Sequence, residues 1–195
     1  MFLSVTRLFL ALTLYVIGAF VLGLALVPAA LLCRLAWLQT AGLIDWQRII
    51  WVCVATGAGY FLFGFSLIVL TVILRVLLRL DLKEGEYPIA SLGMLKWYLS
   101  NALQFLVWTT FGNFLLLTPF ASLFFRLMGA RVGLNVQINS GSCADLSLLD
   151  IGDDAVIGGH ATGIAHSFER RGLILKRVKI GRGAIIGLNA IVMPG

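Results

Sequence analysis

The chain contains two histidines, His160 and His166, and histidine is the side chain that most readily exchanges a proton near neutral pH. Such a group can act as a general base that removes a proton from a hydroxyl or an amine. Glu169 follows His166 by three residues, and we expect it to accept the other ring N–H and so fix the tautomer. A polar surface loop that happens to contain a histidine is the alternative interpretation. His160 is predicted to point outward into solvent.

His166 lies where a six-residue repeat is interrupted. An aliphatic residue, a glycine and a small residue recur at residues 132–136, 151–155, 157–161, 180–184 and 186–190. One such pair occurs in many β-proteins, but tandem pairs at a fixed period predict a left-handed parallel β-helix, in which stacked coils bury one aliphatic side chain per face. Residues 165–173 break the period and are predicted to loop out, and loops on rigid scaffolds commonly have functional roles.

The N-terminal half is predicted to lie in a membrane. The chain is 60% hydrophobic, its mean hydropathy is +0.99, and residues 8–33 and 49–74 contain no charge. Each stretch exceeds the roughly 20 residues that cross a bilayer, and the first is longer than the apolar part of a cleaved signal peptide. We therefore expect two transmembrane helices in residues 1–80, a linker with interfacial or re-entrant apolar helices in 81–128, and the all-β left-handed β-helix in 129–195.

A third uncharged stretch, residues 102–125, contains polar side chains and follows Trp97 and Tyr98, whose amphipathic rings favour the headgroup level. The interfacial or re-entrant interpretation is preferred, and a third span is the alternative. Basic residues are more numerous after the second helix than before it, which predicts a β-helix facing the cytoplasm of a bacterial-type inner membrane. A true third span would reverse this orientation.

The net charge of +6 is spread over the membrane flanks and the repeats, so anionic lipid is the expected partner, and nucleic acid is not. The three cysteines are Cys33, Cys53 and Cys143. They lack paired spacing, so neither a disulfide framework nor a metal site is predicted. A metal hydratase built on the same prism would need three histidines per metal ion, and the chain has two.

Four segments resemble a known family: residues 84–92, 126–133, 166–171 and 175–184. They look like hexapeptide-repeat acyltransferases, and in particular like the membrane-embedded C-terminal region of non-ribosomal poly-amino-acid synthetases of the ε-poly-lysine synthetase type. The resemblance extends over residues 84–195. It implies transfer of an acyl group from a thioester, usually acetyl-CoA, to a hydroxyl or an amine, with His166 as the base.

The resemblance also implies further residues and partners. Asp145, at a second break in the repeat, is expected to orient the acceptor, although a turn aspartate that bonds its own backbone is an equal alternative. Backbone amides near Gly187 are expected to polarise the thioester carbonyl. Members of this family are typically homotrimers, and an acyl or peptidyl carrier protein is an alternative donor.

The chain departs from the family at its end, residues 193–195, where the family continues with further coils. A fragment and an unusually short member are both open interpretations. A short prism would leave the thioester channel incomplete. The competing function is therefore a non-catalytic or carrier-dependent β-helix module that assists a peptide-synthetase-type assembly.

Overall fold

Two long helices form the N-terminal half of the protein. The computed structural model describes residues 2–89, 91–170 and 172–194. Helix α1 is Phe2–Gln39 and helix α2 is Asp45–Leu77. Among the described residues, the segments Ala11–Gln39 and Asp45–Leu77 are long and apolar enough to cross a membrane, as predicted. Their large apolar side chains are widely exposed, which suits a lipid environment better than water.

The chain divides into two units, Met1–Thr71 and Val72–Gly195. The second unit begins within the last turns of α2 and includes everything that follows. Residues 81–128, predicted as a linker, therefore belong to the same unit as the predicted β-helix. This segment contains strand β1 at Gly85–Tyr87, helix α3 at Leu92–Thr110 and helix α4 at Pro119–Leu127.

Polar caps and a short turn define these two helices. The Ser91 hydroxyl accepts a hydrogen bond from the Met94 backbone N–H at 3.2 Å and so begins α3. Thr118 caps α4, whose first residue is Pro119. A short 3-10 turn at Gly112–Phe114 separates the helices. The third apolar stretch is therefore two helices rather than one continuous rod.

The C-terminal part is rich in short strands. They are β2 Arg131–Val132, β3 Gln137–Ile138, β4 Leu149–Ile151, β5 Val156–Ile157, β6 Thr162–Gly163, β7 His166–Glu169, β8 Gly172–Leu175, β9 Val178–Ile180, β10 Ile185–Ile186 and β11 Ile191–Val192. Three sheets are parallel: β2-β4-β9, β3-β5-β10 and β6-β11. Along the chain, successive strands of the repeat visit these sheets in rotation.

The six-residue period sets this geometry. Left-handed backbone occurs at Asp154 and His160, and again at Gly183 and Asn189, six residues apart in each case. These positions turn the chain between strands, and Asp, Asn, His and Gly are the residues that tolerate such φ values best. In the registers of two sheets, Ile151 pairs with Ile180, and Ile157 with Ile186. The aliphatic ladder is thus aligned from strand to strand.

Two segments interrupt the repeat. The first runs from residue 144 to 148 and contains a 3-10 turn at Leu146–Leu148. The second leaves the parallel sheets as the antiparallel hairpin β7–β8, to which β1 adds in the order β1-β8-β7. Within the segment predicted to loop out, residues 165–173, the chain thus leaves the repeat as the paired strands β7 and β8. Gly172 has φ +142, and a Cβ there would meet the Tyr87 carbonyl oxygen at 2.2 Å, so the β1–β8 contact requires glycine.

Candidate functional site: a buried aspartate against His166

His166 begins strand β7 and pairs with Leu175 of β8. Side chains alternate between the two faces of a strand, so His166 and Phe168 share the face of the buried residues Leu173 and Leu175. Glu169 belongs to the opposite face. Strand β7 thereby holds the imidazole against the body of the domain rather than at a loop tip.

Asp145 lies in the first interruption, with left-handed backbone at φ 56 and ψ 44. The residue is 1% exposed. Its Oδ2 lies 2.5 Å from His166 Nδ1, and the two side chains are 0% and 23% exposed, respectively. The two breaks in the repeat therefore meet as a carboxylate–imidazole pair that is buried on the carboxylate side and open on the imidazole side.

Four N–H groups surround the Asp145 carboxylate. Oδ1 accepts from Trp97 Nε1 at 2.7 Å and Asn101 Nδ2 at 2.9 Å, and Oδ2 contacts Ala165 N at 3.2 Å and His166 Nδ1 at 2.5 Å. An ionised carboxylate has about four acceptor sites and no donor. All of them are occupied here, so the buried anion is satisfied without a proton.

This count assigns the tautomer of His166. Because the carboxylate can only accept, Nδ1 must donate to Oδ2. In the neutral ring the proton is then on Nδ1, and Nε2 has a free lone pair. This protonation state is inferred from the hydrogen-bond network. The arrangement therefore leaves Nε2 as the basic atom of the ring.

Helix α3 positions the aspartate. Trp97, Asn101 and Gln104 follow the spacing i, i+4 and i+7, which places them on one helix face. Gln104 Nε2 donates to the Cys143 carbonyl, two residues before the aspartate. Asn101 also accepts from the Asp145 backbone N–H at 3.4 Å. This polar stripe therefore holds the first interruption in place.

Trp97 has a second role, because its ring contacts three other rings. The ring centroids lie 4.9 Å from His166, 5.4 Å from Phe168 and 4.9 Å from Tyr98, all with edge-on geometry. Phe168 is 55% exposed. The open side of the imidazole is thus bordered by aromatic rings, one of which reaches solvent.

Beside this cluster, a groove of ≈ 800 Å³ opens at the tip of the antiparallel sheet. Phe168 lies in its wall together with Tyr87 and Leu173. Glu86, Glu169 and Arg170 supply the charges around it. The groove has room for a small amine or for the end of an acyl thioester.

The predicted site residues do not lie together in the structure: some are buried beside His166 and others are exposed elsewhere. Asp145, expected to orient an acceptor, is instead buried against His166 and is inaccessible to a substrate. Glu169, expected to fix the tautomer, lies on the far face of β7 because three positions along a strand reverse the side-chain direction, and Asp145 takes the Nδ1 contact. Gly187 is exposed between β10 and β11. His160 is exposed at a corner of the repeat.

Cys143 is buried beside this site. Its burial raises the pKa of the thiol above the ordinary value of 9.0, and a backbone hydrogen bond involving Gly163 opposes the rise.

Within the described part of the chain, no group of three or more His, Cys, Asp and Glu side chains has the geometry to hold a metal ion.

The class that fold and site define is a strand-rich domain with parallel sheets, joined to two apolar helices and containing a buried aspartate–histidine pair. Comparison with known proteins found a Delta-poly-L-ornithine synthetase of Acinetobacter baumannii (strain AB307-0294), 26% identical over 83 residues. The match includes 43% of this chain and 6% of the synthetase, so it spans a small part of that enzyme. No family model and no solved structure matches the chain.

Proposed function

We propose that this protein is a membrane-anchored acyltransferase in which His166 is the general base. The observation that supports it most directly is the 2.5 Å contact between His166 Nδ1 and Asp145 Oδ2, which leaves Nε2 as the basic atom. Asp145 acts as a positioning residue, because it orients the ring without touching substrate. Trp97 and Asn101 position the aspartate in turn.

In the proposed reaction, Nε2 takes a proton from the acceptor as its nitrogen or oxygen attacks the carbonyl carbon of a thioester. The new N–C or O–C bond forms, and the C–S bond of the tetrahedral intermediate breaks. The imidazolium then returns its proton to the departing sulfur. Acetyl-CoA or another acyl thioester is the co-substrate, and amides near Gly187 are the proposed donors to the carbonyl oxygen.

We favour an amine acceptor over a hydroxyl. Glu86 and Glu169 give the groove beside Phe168 two carboxylates against the one cation of Arg170, an excess of negative charge that attracts a cation, and exposed aromatic rings bind ammonium groups through their faces. The relative is named for a polymer of ornithine, so ornithine is the first acceptor to test. The groove would bind the charged amine, which first loses one proton to water; His166 then takes the second proton as the neutral nitrogen attacks.

We infer that the three parallel sheets are the faces of a left-handed parallel β-helix. Rotation of strands among three sheets and the six-residue spacing of left-handed residues support this assignment. A homotrimer with sites between prisms is the proposed assembly, to be measured by native mass spectrometry of the detergent-solubilised protein. We further propose that α1 and α2 anchor it in a bacterial-type inner membrane with the strand-rich unit in the cytoplasm.

The test is acyl transfer by the full chain in nanodiscs, with labelled acetyl-CoA and L-ornithine, analysed by mass spectrometry of the products. His166→Ala is expected to lower the rate about 10²- to 10⁴-fold, the usual contribution of a general base. His160→Asn is the matched control, because it removes the other histidine at an exposed left-handed position that asparagine tolerates. Equal rates for wild type and His166→Ala would overturn the assignment.

A carrier-dependent or non-catalytic module is the second candidate. It is favoured by the match to 6% of a much longer synthetase, since a small part of a large enzyme often acts on substrates that other domains deliver. The discriminating measurement replaces acetyl-CoA with an acyl thioester on a peptidyl carrier protein. Transfer from the carrier alone would identify a carrier-dependent enzyme. A scaffold would transfer nothing from either donor, and His166→Ala would still associate with the peptide-synthetase-type assembly.

A further inference from the structure

Strand β7 lies at the edge of its sheet. Within the described residues the strand order is β1-β8-β7, so β7 pairs with β8 on one side and with no strand on the other. An edge strand presents backbone N–H and C=O groups that can pair with another chain. Strand β7 begins at His166, the proposed base. The free edge of β7, defined as the side turned away from β8, therefore borders the candidate site.

The hydrogen bonds of the hairpin show which backbone groups face this free edge. The Lys176 N–H donates to the Ala165 carbonyl at 2.9 Å, and these two residues continue the register of β7 and β8. Residue 165 and every second residue after it therefore direct their N–H and C=O groups toward β8. His166 and Phe168 lie between these positions, so their backbone groups point to the free edge.

The other side of β8 supports the same alternation. Arg177, the residue after Lys176, donates its backbone N–H to Glu84 Oε1 at 2.7 Å, on the side of β1. Consecutive residues thus face opposite neighbours, as they do in a regular antiparallel sheet. The free edge of β7 consequently offers two N–H and two C=O groups to an incoming strand.

A strand added to this edge would place its side chains beside the imidazole. In an antiparallel pair, residues directly opposite each other have side chains on the same face. Their Cα atoms are about 5.5 Å apart where they exchange both hydrogen bonds. The side chains of His166 and Phe168 share one face of β7. A long side chain opposite either residue can therefore reach the imidazole.

We infer that the free edge of β7 binds an extended peptide in antiparallel register, and that the acceptor amine belongs to a side chain of that peptide. Acyl transfer to this amine rests on the proposed function, whereas binding of the peptide does not. The side-chain nitrogen forms the amide bond, and the sulfur leaves with the proton that His166 returns, as in the proposed reaction.

The chemistry of the edge defines this class of substrate. Backbone pairing gives affinity for any extended segment, and the side chains beside the edge select among them. At the tip of the same sheet, Glu86 and Glu169 outnumber the one cation of Arg170, which favours a basic peptide over an acidic one. An ornithine or lysine residue within an extended peptide meets both requirements.

The first experiment measures peptide binding to the full wild-type chain in nanodiscs by fluorescence anisotropy. The probe is a fluorescein-labelled peptide with capped ends, in which ornithine is flanked on each side by threonine and then valine. When the ornithine side chain lies on the imidazole face, its own N–H faces β7 and those of the threonines face solvent. N-methylation at ornithine should weaken binding about tenfold, whereas N-methylation at the following threonine should have little effect.

A pair of variants tests the protein side of the same contact. Phe168→Pro removes one N–H from the free edge without removing a bond to β8, and edge strands tolerate proline in this orientation. Phe168→Ala is the matched control, because it removes the same ring and keeps the N–H. We expect Phe168→Pro to bind the peptide about three- to tenfold more weakly than Phe168→Ala. The two variants should transfer labelled acetyl equally to Nα-acetyl-L-ornithine amide, which is too short to form a strand.

The outcomes separate this inference from the proposed function. Absence of peptide binding, or equal weakening by the two N-methyl groups, would overturn the inference even where the capped ornithine is acetylated. Acetylation of the capped ornithine but not of the bound peptide would overturn the assignment of the acceptor. Binding with the alternating pattern but no transfer to either amine would support the docking edge and refute the proposed transferase.

Discussion

The repeating strands and the two interruptions of the second unit are stabilised in opposite ways. In the strands, residues such as Ile151 and Ile157 pair with an equivalent isoleucine on the neighbouring parallel strand. In the interruptions, Asp145 is held by Trp97 and Asn101, 48 and 44 positions earlier in the chain. The repeat thus provides a uniform scaffold, and unique polar contacts occur at the two interruptions. Catalytic groups need such unique positioning.

Replacing the buried carboxylate should produce the largest effect. Asp145→Asn preserves the shape but turns one acceptor atom into a donor, so either Oδ1 or Oδ2 loses its two N–H partners. The imidazole then loses the partner that fixes its tautomer. We expect kcat/KM to fall about 10²- to 10⁴-fold.

Asp150→Asn is the matched control for this measurement, because Asp150 lies on β4 with only a 3.8 Å ion pair to Arg131. Its rate should equal that of wild type, since exposed ion pairs contribute little. Wild-type activity in Asp145→Asn would contradict the role given to the interruptions.

Truncation of the aliphatic ladder tests the scaffold. Ile157 is 2% exposed, whereas Ile185 is 75% exposed on the neighbouring strand of the same sheet. Ile157→Ala is expected to destabilise the domain by about 2–5 kcal/mol, and Ile185→Ala to change its stability by less than about 0.5 kcal/mol. Hydrogen exchange of the β4 and β5 amides, measured by mass spectrometry, checks both. Similar protection in the two variants would show that the ladder is not the core.

Glycines at equivalent positions of the repeat provide a finer test. A Cβ on Gly152 would meet the Arg182 backbone nitrogen at 2.6 Å, while a Cβ on Gly181 would meet nothing within 4 Å. Gly152→Ala is therefore expected to cost about 1–3 kcal/mol through overpacking, and Gly181→Ala should be tolerated. Thermal unfolding of the two variants in nanodiscs gives the comparison, and equal losses would argue against stacking at Gly152.

These glycines also show what the sequence can predict. The Ile-Gly pairs at 151–152 and 180–181 are identical in sequence, and their period predicted parallel strands. It could not predict which glycine faces the backbone of a neighbouring segment, because that depends on which segment lies next to it in space. Likewise the sequence shows Trp97, Asn101 and Gln104 on one helix face, but tertiary packing sets their partners. These are the Asp145 side chain for the first two and the Cys143 carbonyl for Gln104. Proximity in sequence favours Glu169 as the partner of His166, whereas the carboxylate next to the imidazole in space is that of Asp145.

The smallest expected effect concerns Cys143, which borders the first interruption. Burial raises the pKa of its thiol above 9.0 in the folded state, so in alkaline solution the folded state binds more protons at this site than the unfolded state. The stability that the thiol contributes is fully present below pH 9 and falls as pH rises beyond it.

In a Cys33→Ser, Cys53→Ser background, the free energy of unfolding should therefore decline more steeply above pH 9 when Cys143 is present than in Cys143→Ala. One group limits the difference in slope to about 1.4 kcal/mol per pH unit. Equal slopes, measured by denaturant unfolding between pH 7 and pH 10.5, would mean that the loop before Asp145 opens to water more readily than the packed strands. The polar stripe of α3 would then hold the aspartate less firmly than its hydrogen bonds indicate.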